Sequence, residues 1–426
     1  MNGTHTIVGV WGYGIVGKSI AQFLAPRARN QEIVLVIGDA RQLHGQETEQ
    51  VREFGTWMQL THKDTIEHFL DTVDLCYVSA GIDVRPYQKH AHKFASELDL
   101  FAQHFKKPII AITGTVGKTT CTTLITALLC AAGYRAVSGG NIGVGLCDLI
   151  VQQDRIDYAV IEVSSFQLEL ARSFAPQVAL ITNIYPNHLD RHDSFEAYVS
   201  AKISMVRRQT GGNCVIVNEA ATAWVPETRA QVRTFNRSEG DPLSTIFDAA
   251  IVPENRAAAA QVLAALQVPL PISRFGIAPL PHRMQIVAVV QGVTFINDSK
   301  STIEAATITA VTTCNAQGAK PIVLIGGLSK GVDRRRLIGQ LMGHVTQLIC
   351  FGAEAVQLAS YCHEYGIVTS AHDTLEAAFT QAVTCARVGD TVLLSPAGSS
   401  YDLFDDYAHR GRVFMQLVDE YMRKGM

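Results

Sequence analysis

Residues Thr113-Gly114-Thr115-Val116-Gly117-Lys118-Thr119-Thr120 constrain this chain more than any other stretch. Ahead of them Pro108 to Ile112 is a short apolar run that reads as a buried strand. Behind them Leu124 to Leu129 reads as a helix. Strand, glycine-rich loop, Lys-Thr, helix is the grammar of a phosphate-binding loop. Gly114 and Gly117 let several backbone N–H groups point into one concavity. The helix start adds the positive end of its dipole. Lys118 supplies a point charge for outer phosphates, and Thr119 a hydroxyl for a magnesium ion. Only two residues separate the glycines, so the match is to a shortened form of G-x-x-x-x-G-K-[ST]. A strand-to-helix turn that needs glycine for its backbone alone is the plainer alternative.

At 426 residues the chain is too long for one ordinary domain. Strands alternating with helices predict an α/β protein of three domains. These are a Rossmann-like domain over 1–97, a central phosphate-loop domain over 98–279 and a second Rossmann-like domain over 280–426. In the first, the strand Thr6–Val10 runs into Gly12-Tyr13-Gly14-Ile15-Val16-Gly17, followed by a helix over Lys18–Leu24. A second strand, Ile33–Ile37, leads to Asp39. Taken alone this is a dinucleotide fingerprint, and it reads as an NAD site. Its glycines equally serve helix–strand packing. The strand Val73–Val78 leads to Ser79, so Gly12 to Gly17, Asp39 and Ser79 all lie at the carboxyl ends of strands, where such sheets bind ligands.

In the central stretch Ser138 to Gly143 reads as a polar turn. The strand Tyr158–Val163 carries Glu162 near its end, placed to reach the magnesium of a nucleotide on the neighbouring loop. A capping or salt-bridging role for Glu162 is the alternative. The strand Val178–Asn183 runs into Pro186-Asn187-His188-Leu189-Asp190-Arg191-His192, which makes His188 a candidate for a metal or phosphate. A helix from Phe195 carries Lys202, which composition alone reads as a surface lysine. In the last third, polar clusters follow four strands: Asn297 to Thr302, Gly326 to Lys330, Gly352, and Ser395 to Tyr401. In a parallel, doubly wound sheet they converge on one edge.

The formal net charge of −3 gives no hint of a nucleic-acid or membrane partner. Arg334-Arg335-Arg336 reads as a solvated helix face. The nine cysteines include no C-x-x-C, which favours reduced thiols in a cytoplasmic protein over disulfides or structural zinc. No signal peptide is expected, and no apolar run approaches the ~18 residues of a membrane span.

Four motifs together resemble the Mur ligase family over essentially the whole length. They are Gly114 to Thr120, Gly140-Asn141-Ile142-Gly143, Glu162-Val163-Ser164-Ser165-Phe166-Gln167-Leu168 and His188-Leu189-Asp190-Arg191-His192. Asn297 to Thr302 and Ser395-Pro396-Ala397 resemble the branch that takes D-glutamate. The resemblance implies an ATP-dependent amide ligase of peptidoglycan synthesis, monomeric, working through an acyl phosphate on UDP-N-acetylmuramoyl-L-alanine. It moves the N-terminal glycine loop from NAD to a uridine diphosphate, near Gly14, Ile15, Asp39 and Ser79. It implies ATP on Gly114, Thr115, Val116, Gly117, Lys118, Thr119 and Thr120. Asn255 would lie near the adenine, and Arg283 and Asp298 would complete the nucleotide site. Magnesium would be held by Thr119, Glu162 and His188, and by Lys202 as a carbamate. Asn141 would meet the acceptor, and Lys300, Thr302, Lys330, Ser400 and Tyr407 the D-glutamate. Lys118, Lys202, His188 and Arg283 would carry the catalysis. The chain departs from the family pattern with Asn187 for aspartate, Ile251-Val252 for His-Asn, and Tyr401 and Tyr407 for leucine and phenylalanine. Another amide ligase, such as a folylpolyglutamate synthetase, and a nucleotide-binding regulator are the other readings.

Overall fold

Strands that are apolar on both faces must be covered by helices on both sides, as in parallel sheets. Ile109–Thr113 and Val178–Ile181 are buried at every residue, and they pair with each other in one parallel sheet. The structure, a computed structural model, describes residues 5–142, 144–236, 243, 252–270, 280–329 and 331–424.

The first sheet contains β1 (Thr6–Trp11), β2 (Ile33–Asp39), β3 (Thr56–Gln59), β4 (Leu75–Val78) and β5 (Phe94–Ala95), in the order β3-β2-β1-β4-β5. The second contains β6 (Ile109–Thr113), β7 (Ala136–Gly140), β8 (Tyr158–Glu162), β9 (Val178–Ile181), β10 (Cys214–Asn218) and β11 (Gln231–Phe235), in the order β11-β10-β9-β6-β8-β7. All neighbours in both are parallel. The third contains β12 (Gln285–Val290), β13 (Val293–Asn297), β14 (Ile322–Gly326), β15 (Gln347–Phe351), β16 (Thr369–His372) and β17 (Thr391–Leu394), in the order β12-β13-β17-β14-β15-β16. The first two sheets share one compact unit, Met1–Ile184 with Glu196–Phe275. The third belongs to another, Tyr185–Phe195 with Gly276–Met426.

The third sheet departs from the all-parallel expectation at one edge. β12 is antiparallel to β13 because only Gln291 and Gly292 join them, and so short a link cannot make a parallel crossover. Both linking residues have positive φ, 51° and 78°, as the tight hairpin turn requires. Ser138 to Gly140 is the end of β7 rather than a turn. Gly139 lets it lie close to Leu149, whose side chain would stand 2.9 Å from an added Cβ.

Candidate active site

β6 delivers the chain to Gly114 (φ 144°), and the loop closes at Gly117 (φ 87°), the N-cap of the helix Lys118–Ala131. Gly117 also permits a close approach: a Cβ there would stand 2.7 Å from Asn255 Oδ1. Asn255, on the helix Pro253–Ala265, therefore sits against the loop. The loop is braced from the end of β9. Thr115 N donates to Asn183 O (3.0 Å), Val116 N to Asn183 Oδ1 (2.8 Å) and Thr182 Oγ1 to Val116 O (2.6 Å). Sequence reading passed over Thr182 and Asn183. Their signal is a polar pair directly after a buried strand.

Lys118 folds back on its own loop, its Nζ donating to Gly114 O (3.0 Å) and Thr115 O (3.1 Å). Thr119 Oγ1 donates to Glu162 Oε2 at 2.6 Å, and Asn141 Nδ2 donates to Oε1 at 2.9 Å. β8 lies next to β6 with Glu162 opposite Ile112, which is how the register brings this carboxylate to the loop. Thr119 and the buried Glu162 offer hard oxygen donors, the type magnesium takes together with phosphate oxygens and water. Among the described residues no group of three or more His, Cys, Asp or Glu could hold a metal ion.

Lys202 corrects the surface reading. It is 2% exposed on the helix Phe195–Arg207, one turn beyond the buried Tyr198 and therefore on the same inward face. Its Nζ donates to Gly114 O at 2.7 Å and stands 4.7 Å from the Tyr198 ring centroid. Burial drives its pKa well below the usual lysine value. The nearby Lys118 charge pushes the same way, and Glu162 opposes both. The amine is thus held towards its neutral, nucleophilic form.

At the carboxyl edge of the first sheet, Asp39 Oδ2 accepts from Tyr13 N (2.5 Å) and Oδ1 from Arg41 N (3.0 Å). Ser79 Oγ donates to Gly12 O (3.0 Å). Gly17 is required because a side chain there would run into the Gly12 carbonyl. Gly14 has open space around it, and Ile15 is exposed. Each oxygen of Asp39 thus accepts one loop amide and keeps lone-pair capacity for a ligand hydroxyl.

In the other unit, Asp298 is buried and accepts from Ser395 Oγ (2.9 Å) and Met284 N (3.2 Å). Burial pushes its pKa up to about 7. Lys300 Nζ lies 3.6 Å over the Tyr407 ring centroid. Ser400 is buried, and Arg283 and Thr302, the residue after the buried Ser301, are half-buried. Lys330 lies outside the described residues. His188 belongs to this unit; it has φ 55°, and its N–H donates to Asn187 Oδ1 at 3.0 Å. Arg334 corrects the expectation of a solvated arginine face. Arg335 is about half exposed at its side chain, but Arg334 is buried and bonded to loop carbonyls.

The family model described as the Mur ligase middle domain matches residues 112–266, and that of the Mur ligase glutamate ligase domain matches 282–398. A protein of Legionella pneumophila (strain Lens) named UDP-N-acetylmuramoylalanine–D-glutamate ligase is 33% identical, over 97% of this chain and 99% of its own. The chain belongs to the Mur ligase family. A Desulfotalea psychrophila protein of the same name is 36% identical over 82% of both chains. Among solved structures, this Mur ligase resembles a MurF ligase from Thermotoga maritima in complex with ADP. The TM-score is 0.59 at 14% identity, over 99% of this chain and 96% of that one. An E. coli FolC in complex with DHPP and ADP gives 0.57 at 17%, over 80% and 99%. Both show a shared fold.

Proposed function

We infer that this Mur ligase joins D-glutamate to UDP-N-acetylmuramoyl-L-alanine with consumption of ATP. The observation that carries the reading is a chain matching relatives of that one name over nearly its full length, with an intact phosphate loop at its centre. The acceptor carboxylate attacks the γ-phosphate, giving an acyl phosphate and ADP. The amine of D-glutamate then attacks the acyl carbon and phosphate leaves, forming the amide. In this reading Gly114 to Thr120 cradle the phosphates. Lys118 exchanges its loop carbonyls for phosphate oxygens and spreads the developing charge. Arg283 is assigned to the same phosphate charge, and Asn255 to the nucleotide.

Magnesium, when bound, would neutralise phosphate charge, with Thr119, Glu162 and His188 as ligands. Lys202 is suited to join them as a carbamate. Carbamylation would join Nζ to the carbon of carbon dioxide with loss of a proton, leaving an anion where an ammonium would repel the metal. Asn141, linked to Glu162, is assigned to the acceptor. Gly14, Ile15, Asp39 and Ser79 are assigned to its uridine diphosphate end. Lys300, Thr302, Lys330, Ser400 and Tyr407 are assigned to D-glutamate. We place the reaction in the cytoplasm, which nine cysteines without a disulfide support. No helix among the described residues is long and apolar enough to cross a membrane.

The test is phosphate release from ATP with the UDP-muramoyl-alanine acceptor, with and without D-glutamate, against a panel of other amino acids. Stoichiometric phosphate and amide with D-glutamate alone is expected. Equal or faster turnover with another amino acid would reassign the substrate.

A further inference from the structure

Arg334 precedes the helix Arg335–Leu341 and is 3% exposed. Its guanidinium reaches the ends of two neighbouring strands. Nη1 donates to Gly327 O (3.0 Å), and Nη2 donates to Gly326 O (3.3 Å) and Pro396 O (2.7 Å). Gly326 ends β14, and Pro396 follows β17. Glu354, the N-cap of the helix Ala355–Glu364, supplies the counter-charge: Nη1 to Oε2 is 3.2 Å. Its other oxygen accepts from Ser329 N at 2.9 Å. The two loops are also joined to each other, because Leu328 and Ser399 exchange backbone hydrogen bonds of 3.0 and 2.9 Å.

A second buried arginine works on the same group of loops. Arg410 donates Nη1 to Gly398 O (3.1 Å), Nε to Ser299 Oγ (3.0 Å) and Nη2 to Ser299 O (2.8 Å). Two guanidiniums thus hold the carbonyls of three strand-end loops. Burying an arginine is costly unless its fork is satisfied, and the planar fork fixes the direction of each group it binds. A solvated lysine or a packed aliphatic could not join two loops in this way.

We propose that Arg334, with Glu354 as its counter-charge, is a positioning residue for the amino-acid substrate. It locks the loop after β14 to the loop after β17, so that their polar tips, Ser329 and Ser400 among them, meet the substrate as one surface. This rests on the reading that this edge of the third sheet takes D-glutamate. The arginine acts through the loops and does not touch the substrate.

The experiment compares wild type with Arg334→Met, Arg334→Lys and Glu354→Gln. It measures the KM for D-glutamate and for ATP, and hydrogen exchange at the Leu328 and Ser399 amides. Arg334→Met is expected to raise the KM for D-glutamate roughly tenfold more than that for ATP, a loss equivalent to one good interaction. Both amides should exchange faster. Arg334→Lys should recover part of the effect, since an ammonium satisfies one carbonyl but not a fork. A folded variant with unchanged KM for D-glutamate would overturn the proposal, as would equal rises in both KM values, the signature of a merely structural arginine. Should Arg334→Met fail to fold, the Lys variant decides by the same comparison. If wild type does not use D-glutamate, the substrate reading falls. The exchange rates then still decide the brace: faster exchange upholds it and unchanged exchange overturns it.

Discussion

The Thr119 hydroxyl donates to Glu162 Oε2 at 2.6 Å, tying the first turn after the phosphate loop to the end of the next strand. The hydroxyl keeps its lone pairs while it donates, and the carboxylate keeps others, so the pair offers adjacent oxygens to a metal. Glu162→Gln keeps an oxygen that can accept from Thr119 but removes the charge. We expect the magnesium concentration for half-maximal ATP turnover to rise by roughly tenfold or more, in line with the weight of one carboxylate in a site of few ligands. A magnesium titration of the two proteins checks this. Superimposable titrations would remove Glu162 from the metal site.

A direct competition decides which nucleotide the first sheet takes. The two oxygens of Asp39 accept the Tyr13 and Arg41 amides and keep lone-pair capacity for a ligand hydroxyl of either nucleotide. Calorimetric titration should show a UDP-sugar binding and NAD failing to compete. Tight NAD binding with no response to the UDP-sugar would reverse the assignment.

For Lys202 the expectation follows from sign. A free ammonium 4 Å from a cation is repelled by about 4 kcal/mol per unit charge pair at an effective dielectric of 20. A carbamate turns that repulsion into attraction. Lys202→Ala should be nearly inactive, and a short-chain carboxylic acid in the buffer should restore part of the activity. The same acid should do nothing for Lys118→Ala, whose lost group is a cation, although circular dichroism should show both variants folded. Full turnover of Lys202→Ala without additive would return this residue to a packing role.

Glu97 gives a pH prediction outside the chemistry. It is buried, with Oε1 accepting from Leu146 N at 2.9 Å and Oε2 without a hydrogen-bond partner. Burial pushes its pKa from 4.5 up to about 7, against the pull of the Leu146 and Cys147 amides. A raised pKa means the folded state binds the proton more tightly than the unfolded chain. Its contribution is therefore fully present below about 4.5 and is lost as pH rises through about 7. Glu97→Gln keeps the acceptor and removes the titration. The stability of wild type relative to this variant should fall between pH 5 and 8, by at most about 3 kcal/mol. Melting temperatures of both across that range decide it, and parallel curves would contradict it.

The phosphate loop and the buried strands beside it were legible because each strand is a contiguous apolar run ending in polar residues. β6, β8 and β9 all read in this way. Short edge strands such as β3 and β16 carry few buried residues and left no such run. Lys202 was illegible from composition because a lysine on a helix has no local sign of burial. Only its spacing from Tyr198 turns it inward, and the family resemblance singled it out. Arg334 was misread for the opposite reason. Three consecutive arginines look solvated, yet the first stands just before its helix and points under the sheet edge while Arg335 reaches outward to Glu364. Asn183 shows the remaining gap: its hydrogen bonds to the loop span 67 residues of sequence.

The start of the helix Glu97–His104 has a practical consequence for anyone preparing a fragment of the central sheet. Ser96 Oγ accepts from Leu98 N (3.2 Å) and donates to Gln167 O (3.0 Å). Asp99 Oδ1 gathers the amides of Arg172, Ser173 and Phe174 at 2.9, 2.7 and 3.2 Å. Leu170 packs in the apolar cluster of the first sheet, with Trp11 and Phe94. An expression fragment trimmed to begin at residue 98 would discard Ser96 and Glu97, leave the Gln167 carbonyl and the Leu146 amide without their partners, and expose Leu170 to water. The first two sheets thus share one packed seam, and a protease that nicks the chain between them should leave two pieces that stay together.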